Sequence, residues 1–150
     1  MSLSTNLVAY WKLDESSGNA ADSHGSFTLT NTGSMPYAAA LINNGADFVP
    51  NDSLNNTTVL ASTSYPRSFS LWVNLDTVAS GGDQAFFTLG DDVVHYYELK
   101  LRDSDNHIVF RSNNDTQSAD VDTGIVASAS TWYHIVVIQN SNISVTIYVN

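Results

Sequence analysis

In SFSLWVNLD, residues 68–76, Trp72, Asn74 and Asp76 stand two apart, as do Tyr96 and Glu98 in HYYELKLR. Extended chain sends alternate side chains to opposite faces, so each set shares one face of its strand. An indole, a phenol, an amide and carboxylates are groups that recognise saccharides. The apolar face of a sugar ring stacks on the aromatic ring, and the polar groups fix its orientation. If both strands lie in one sheet, Trp72, Asn74, Asp76, Tyr96 and Glu98 form a carbohydrate-binding groove, with Lys100 on the same side. The competing reading packs Trp72 under a loop, its one polar atom satisfied there.

Hydrolytic chemistry finds less support. Cleaving a glycosidic bond takes two carboxyl groups about 5–9.5 Å apart. The only glutamates are Glu15 and Glu98. Glu15 falls in a turn, and Glu98 has no second carboxylate on its strand face until past Arg102. No nucleophile-elbow glycine pattern is present. The expectation is therefore a protein that is not an enzyme. His24, His95, His107 and His134 are scattered and there is no cysteine, so no zinc ligand set forms in the sequence. DSDN, Asp103 to Asn106, reads as a hairpin turn. Asp91, Asp92, Asp120 and Asp122 read as solvated loop charges.

The elements that must carry these residues are strands. Period-2 alternation places Leu7, Ala9, Trp11 and Leu13 on one face of LVAYWKL. It places Phe69, Leu71 and Val73 together, then Tyr97, Leu99 and Leu101, then Ile143, Val145 and Ile147. The predicted space between two sheets is lined by Phe69, Leu71, Val73, Leu99, Leu101, Ile143, Val145 and Ile147. HIVFRS returns after DSDN as a hairpin partner. In TWYHIVVIQ, Trp132, His134, Val136 and Ile138 oppose Tyr133, Ile135 and Val137. Both faces are apolar, which marks a central strand. No window carries a sustained helical period with caps. The class expectation is all-β, with many short strands in an antiparallel sandwich or barrel.

At 150 residues the chain reads as a single domain, 1–150, with residues 1–3 a leader outside the fold. Its formal net charge is −10, so phosphate backbones are repelled and nucleic acid is not an expected partner. No apolar run reaches the ~18 residues of a membrane helix, so membrane insertion is not expected either. Ser, Thr and Asn make up about a third of the residues, giving polarity through hydroxyls and amides. That composition points to an extracellular, cell-surface or virion-surface location.

LVAYWKLDESSGNAADSHGSFTLTNTG resembles the opening of laminin-G-like jelly rolls of the concanavalin A-like lectin/glucanase superfamily. LINNGADFVPNDSLNN, SFSLWVNLD and STWYHIVVIQNSNISVTIYVN resemble later segments of the same domains, in the same order, so the likeness runs from about Leu7 to Asn150. It implies a concanavalin A-like β-sandwich, or jelly roll. It also implies a non-catalytic, lectin-like module for carbohydrate or glycoconjugate. The alternative is a structural or adhesive module of a virion, tail fibre or cell surface. The glucanase branch's E-x-D-x-x-E strand is absent. In relatives the loop matching AADSHGS helps to bind Ca²⁺, which makes Asp22 the candidate metal ligand and Ca²⁺ the candidate cofactor. The other reading of Asp22 is a turn cap bonded to nearby backbone. Relatives continue past the segment matching Tyr148–Asn150 with closing strands. The resemblance therefore implies an open sheet edge at Leu7–Leu13, covered by another copy of the chain in a homo-oligomer.

Overall fold

In the computed structural model, residues 5–58, 65–78, 81–90, 96–114, 117–141 and 143–150 are described. Their contacts fall into two compact units, Met1–Leu60 and Ala61–Asn150. Among the described residues every regular element is a strand, and every pairing is antiparallel.

The first unit holds four short strands: β1 (Thr30–Thr32), β2 (Tyr37–Ala39), β3 (Asn44–Ala46) and β4 (Ser53–Asn55). β1 pairs with β4, and β2 with β3. The expected strand at Leu7–Leu13 does not form. Its only ladder contact is an isolated bridge between Trp11 and Asp22. Leu13 has φ +59°, a left-handed conformation that a continuing strand cannot contain. Trp11 is fixed instead by its indole N–H, which donates to the Phe27 carbonyl at 2.6 Å.

The second unit is a β-sandwich. Sheet A joins β11 (Val145–Val149), β10 (Trp132–Gln139) and β5 (Arg67–Asn74), with β10 in the centre as its two apolar faces require. Sheet B runs in sequence order: β6 (Gln84–Gly90), β7 (Tyr96–Arg102), β8 (His107–Asn114) and β9 (Gln117–Val126). The DSDN turn joins β7 to β8 as the sequence implies. A register shift between His107 and Val109 is matched on β9 by Gly124 at φ +68°, a bulge that only glycine enters without strain.

The space between the sheets is filled by Leu99, Leu101, Ile108 and Phe110 from sheet B and Tyr133, Ile135 and Val137 from sheet A, all buried. Phe69, Leu71, Val73, Val145 and Ile147 pack against them, as the alternation predicts. The Phe69 ring lies 5.0 Å from Phe87 and 6.3 Å from Phe110, centroid to centroid, which ties β5 to β6 and β8. Ile143 is the exception at 60% exposed, because the chain is still turning there and β11 starts only at Val145. A polar tie crosses the core. Buried Gln139 donates through Nε2 to Ser112 Oγ at 3.1 Å and accepts from Arg67 Nε at 2.8 Å. The Arg67 guanidinium lies 3.8 Å over the Tyr97 ring. Each buried polar group in this tie has a partner, which removes the desolvation penalty an orphan would carry.

Candidate functional site

Alternation in β5 sends Leu71 and Val73 inward, so Trp72 faces out with Ser70 and Asn74. In β10 the inward set is Tyr133, Ile135, Val137 and Gln139, which leaves Trp132, His134 and Val136 on the outer face. Register then decides who meets whom. Trp72 stands opposite His134, Asn74 opposite Trp132, and Ser70 opposite Val136. On the other side of β10, Val136 stands opposite Tyr148.

The result is an aromatic platform on the outer face of sheet A. The His134 and Trp72 rings stack at 4.8 Å and 22°. The imidazole is held by a hydrogen bond between Nε2 and Ser70 Oγ at 2.9 Å. Its backbone is held as well. His134 N–H donates to Asn150 Oδ1 at 2.6 Å, and Asn150 N–H donates to the His134 carbonyl at 3.0 Å. Asn150 Nδ2 donates to the Trp132 carbonyl at 3.2 Å. Trp72 nevertheless stays 49% exposed and Tyr148 59% exposed. Trp72 is therefore propped against an imidazole and open to solvent, not packed under a loop. Asp76 lies exposed beyond the end of β5.

Tyr96 and Glu98 are elsewhere. β7 belongs to sheet B, and its inward residues include Leu99 and Leu101, so Tyr96 and Glu98 face out on the opposite side of the sandwich. The five residues expected to form one groove are thus split between two outer faces. Alternation fixes a residue's face within its strand but carries no information about which sheet the strand joins.

The outer face of sheet B is a lattice of ion pairs. Lys100 Nζ lies 2.8 Å from Asp83 and 2.9 Å from Glu98. Burial alone would push this ammonium's pKa down, but hydrogen bonds to both carboxylates hold it above its ordinary value. The same ammonium holds Asp83 below the usual carboxylate range. Glu98 therefore does have a carboxylate neighbour, brought in from the approach to β6, but a cation stands between them. Arg111 grips Asp120 through two bonds of 2.8 and 2.7 Å. Arg102 bonds both Asp105 and Asp122. Asp120 and Asp122 are strand residues with partners, not solvated loop charges.

Among the described residues, Asp105, His107 and Asp122 form a group with metal-ligand chemistry, their ligand atoms within 4.8 Å of one another. Sequence reasoning missed it because Asp122 arrives only through the β8–β9 pairing; Asp105-x-His107 was the visible half. The group is already satisfied. Arg102 lies against both carboxylates, His107 Nδ1 is 2.9 Å from Asp122 Oδ1, and Gly124 N–H donates to the same oxygen at 2.7 Å. Asp122 is held down to about 2 by the Gly124 amide first, then His107 and Arg102. The Arg102 guanidinium already supplies the counter-charge of both carboxylates.

Asp22 is also committed to the chain. Its Oδ1 accepts from the backbone N–H of Tyr10 and of His24, each at 2.9 Å. Its Oδ2 accepts from Phe27 N–H at 3.1 Å. Burial would raise its pKa, but amide donors from Gly25, Tyr10, His24 and Phe27 hold it well below the usual carboxylate range. A Ca²⁺ shell needs six to eight oxygens turned toward the ion. Here the carboxylate oxygens face N–H donors, so the loop does not fit Ca²⁺ and does fit the turn-capping reading.

Sheets A and B thus form an antiparallel β-sandwich with exposed rings and hydroxyls on the outer face of sheet A. A laminin G-type family model, described as the concanavalin A-like lectin/glucanases superfamily, matches residues 43–150. The chain belongs to that superfamily. No curated protein and no solved structure matches it significantly. The superfamily's name spans binding and hydrolysis, so membership alone does not choose between them.

Proposed function

We propose that the chain is a non-catalytic, lectin-like recognition module that binds saccharide on the outer face of sheet A. The observation that carries this reading is Trp72. Its ring is stacked on His134 and about half of its surface is open to solvent. A rigid, half-exposed indole offers a flat apolar surface to the C–H face of a pyranose. Ser70, Asn74, Tyr148 and Asp76 offer hydroxyl, amide and carboxylate groups around it. The hydroxyl- and amide-rich composition supports work at an extracellular, cell-surface or virion surface.

The non-catalytic part of the reading rests on sheet B. A glycosidase acid must hold a proton near neutral pH, which takes a raised carboxyl pKa. Asp83 is displaced in the opposite direction, with Lys100 lodged between it and Glu98. A polysaccharide panel should show no turnover; hydrolysis abolished by Glu98→Gln would overturn this part.

The test of recognition is a glycan array probed with the wild type and with Trp72→Ala. Binding to a defined subset of glycans, lost at least about tenfold in Trp72→Ala with an unchanged urea midpoint, is the expected result. Binding that ignores the substitution would remove the platform. A protein that binds no glycan and engages only protein partners would favour the adhesive alternative.

A further inference from the structure

We infer that the saccharide taken by the outer face of sheet A is uncharged, and that a sulfate, phosphate or carboxylate on it is rejected. This rests on the recognition reading above and narrows it to a ligand class. An anionic glycan is held by cations free to turn toward it, most effectively by arginine, whose planar fork matches such groups. Every lysine and arginine of this chain can be located, because all five, Lys12, Arg67, Lys100, Arg102 and Arg111, fall among the described residues.

None of the four in the sandwich serves the outer face of sheet A. Lys100, Arg102 and Arg111 sit on sheet B, each clamped by carboxylates: Asp83 and Glu98, Asp105 and Asp122, and Asp120. Arg67 starts β5 but turns to Gln139 and the Tyr97 ring, on the core side of the sheet. Lys12 belongs to the first unit.

The outer face of sheet A is built differently. Its polar groups are the hydroxyls of Ser68, Ser70, Thr146 and Tyr148, the amide of Asn74, the Trp132 indole N–H and the His134 imidazole, on the same face as Trp72. Apart from that imidazole, none of these side chains carries a formal charge, and the acidic Asp76 lies beyond the end of β5. Hydroxyls and amides both donate and accept, which matches sugar hydroxyls and acetamido groups. An anionic substituent pressed against this face would lose water without gaining a counter-charge, which is unfavourable. It would also approach a molecule of net charge −10, whose field opposes it.

The test uses a panel of immobilised oligosaccharides in matched forms: neutral, sulfated and sialylated versions of the same backbone. Wild type, Trp72→Ala and Asn74→Lys are compared at low and at moderate salt. The inference expects Trp72-dependent binding to neutral members, and sulfated or sialylated counterparts weaker by about fivefold or more. Added salt should narrow that gap, because screening weakens repulsion. Asn74→Lys should strengthen binding of the sulfated forms by about two- to fivefold, the range of one exposed ion pair. Preferential Trp72-dependent binding of the anionic forms would overturn the inference and leave the recognition reading standing. No Trp72-dependent binding to any member would overturn both.

Discussion

Trp72 is held without being hidden, and the hold comes from across the strand gap. An aromatic pair of this kind contributes about 0.5–1.5 kcal/mol beyond its buried area. Removing the prop by His134→Ala should leave the fold intact and free the indole to rotate. The expected outcome is weaker saccharide binding, with fluorescence anisotropy of the chain's tryptophans falling; unchanged affinity would mean the stack has no part in recognition. Asp22 makes the opposite use of a polar side chain. Its oxygens are spent on backbone amides that no strand partner satisfies. Asp22→Ala should cost about 1–3 kcal/mol, the penalty for donors left unmet, with the lower end favoured because water reaches several of them. A urea melt in the presence and absence of Ca²⁺ checks both points: the substitution should shift the midpoint and Ca²⁺ should not.

β7, β8 and β9 are locked to one another at their turn end by Arg102, Asp105, His107 and Asp122. The Gly124 amide, His107 and Arg102 hold the folded Asp122 down to about 2, below the ~3.9 of an unperturbed aspartate. The sign follows. Its contribution is complete above pH ~4 and is lost as pH falls toward the folded value, because the unfolded chain takes up the proton first. The protection factor of the Gly124 amide, its NMR exchange rate corrected for the intrinsic pH dependence, should fall between pH 4 and 2, and Asp122→Asn should remove that pH step. Protection that stays constant across the interval would contradict the assignment. In the core, Phe110 is fully buried between the sheets, and Phe110→Ala should cost about 3–5 kcal/mol in a denaturant melt.

The same elements show what the sequence could and could not disclose. β5, β7, β10 and β11 were readable because their alternation is strong and their inward residues are large. β9 was not, since QSADVDTGIV alternates weakly and contains a glycine bulge. Leu7–Leu13 alternates well and still makes no strand, because alternation constrains faces and not the backbone angle at Leu13. The proposed site was legible only as faces of single strands. Alternation puts Trp72 and Asn74 on one face of β5, but their cross-strand neighbours His134, Trp132 and Tyr148 depend on register across β10, which a single strand's pattern does not hold. Glu98 and Tyr96 were joined to Trp72 for the same reason and belong to the other face.

Taken together, the sandwich segregates its chemistry. Sheet B's outer face gathers Lys100, Arg102 and Arg111, pairs each with carboxylates, and so presents a largely self-satisfied surface. Sheet A's outer face carries rings, hydroxyls and amides with unspent bonding capacity. The partly exposed pairs of Arg102 and Arg111 contribute little individually to stability, about 0–1 kcal/mol each, whereas Lys100 is buried. The larger effect of the three clusters is to leave none of Lys100, Arg102 and Arg111 free for an outside ligand. The two faces lie on opposite sides of the core, so a ligand contacts one or the other. An amide and indole NMR titration with the best saccharide from the array separates them directly. The account predicts shifts at the Trp72 indole N–H and at the amides of His134, Ser70 and Tyr148, with Tyr96, Glu98 and Arg111 unmoved. Shifts confined to Tyr96, Glu98 and Arg111 would contradict it and place recognition on sheet B.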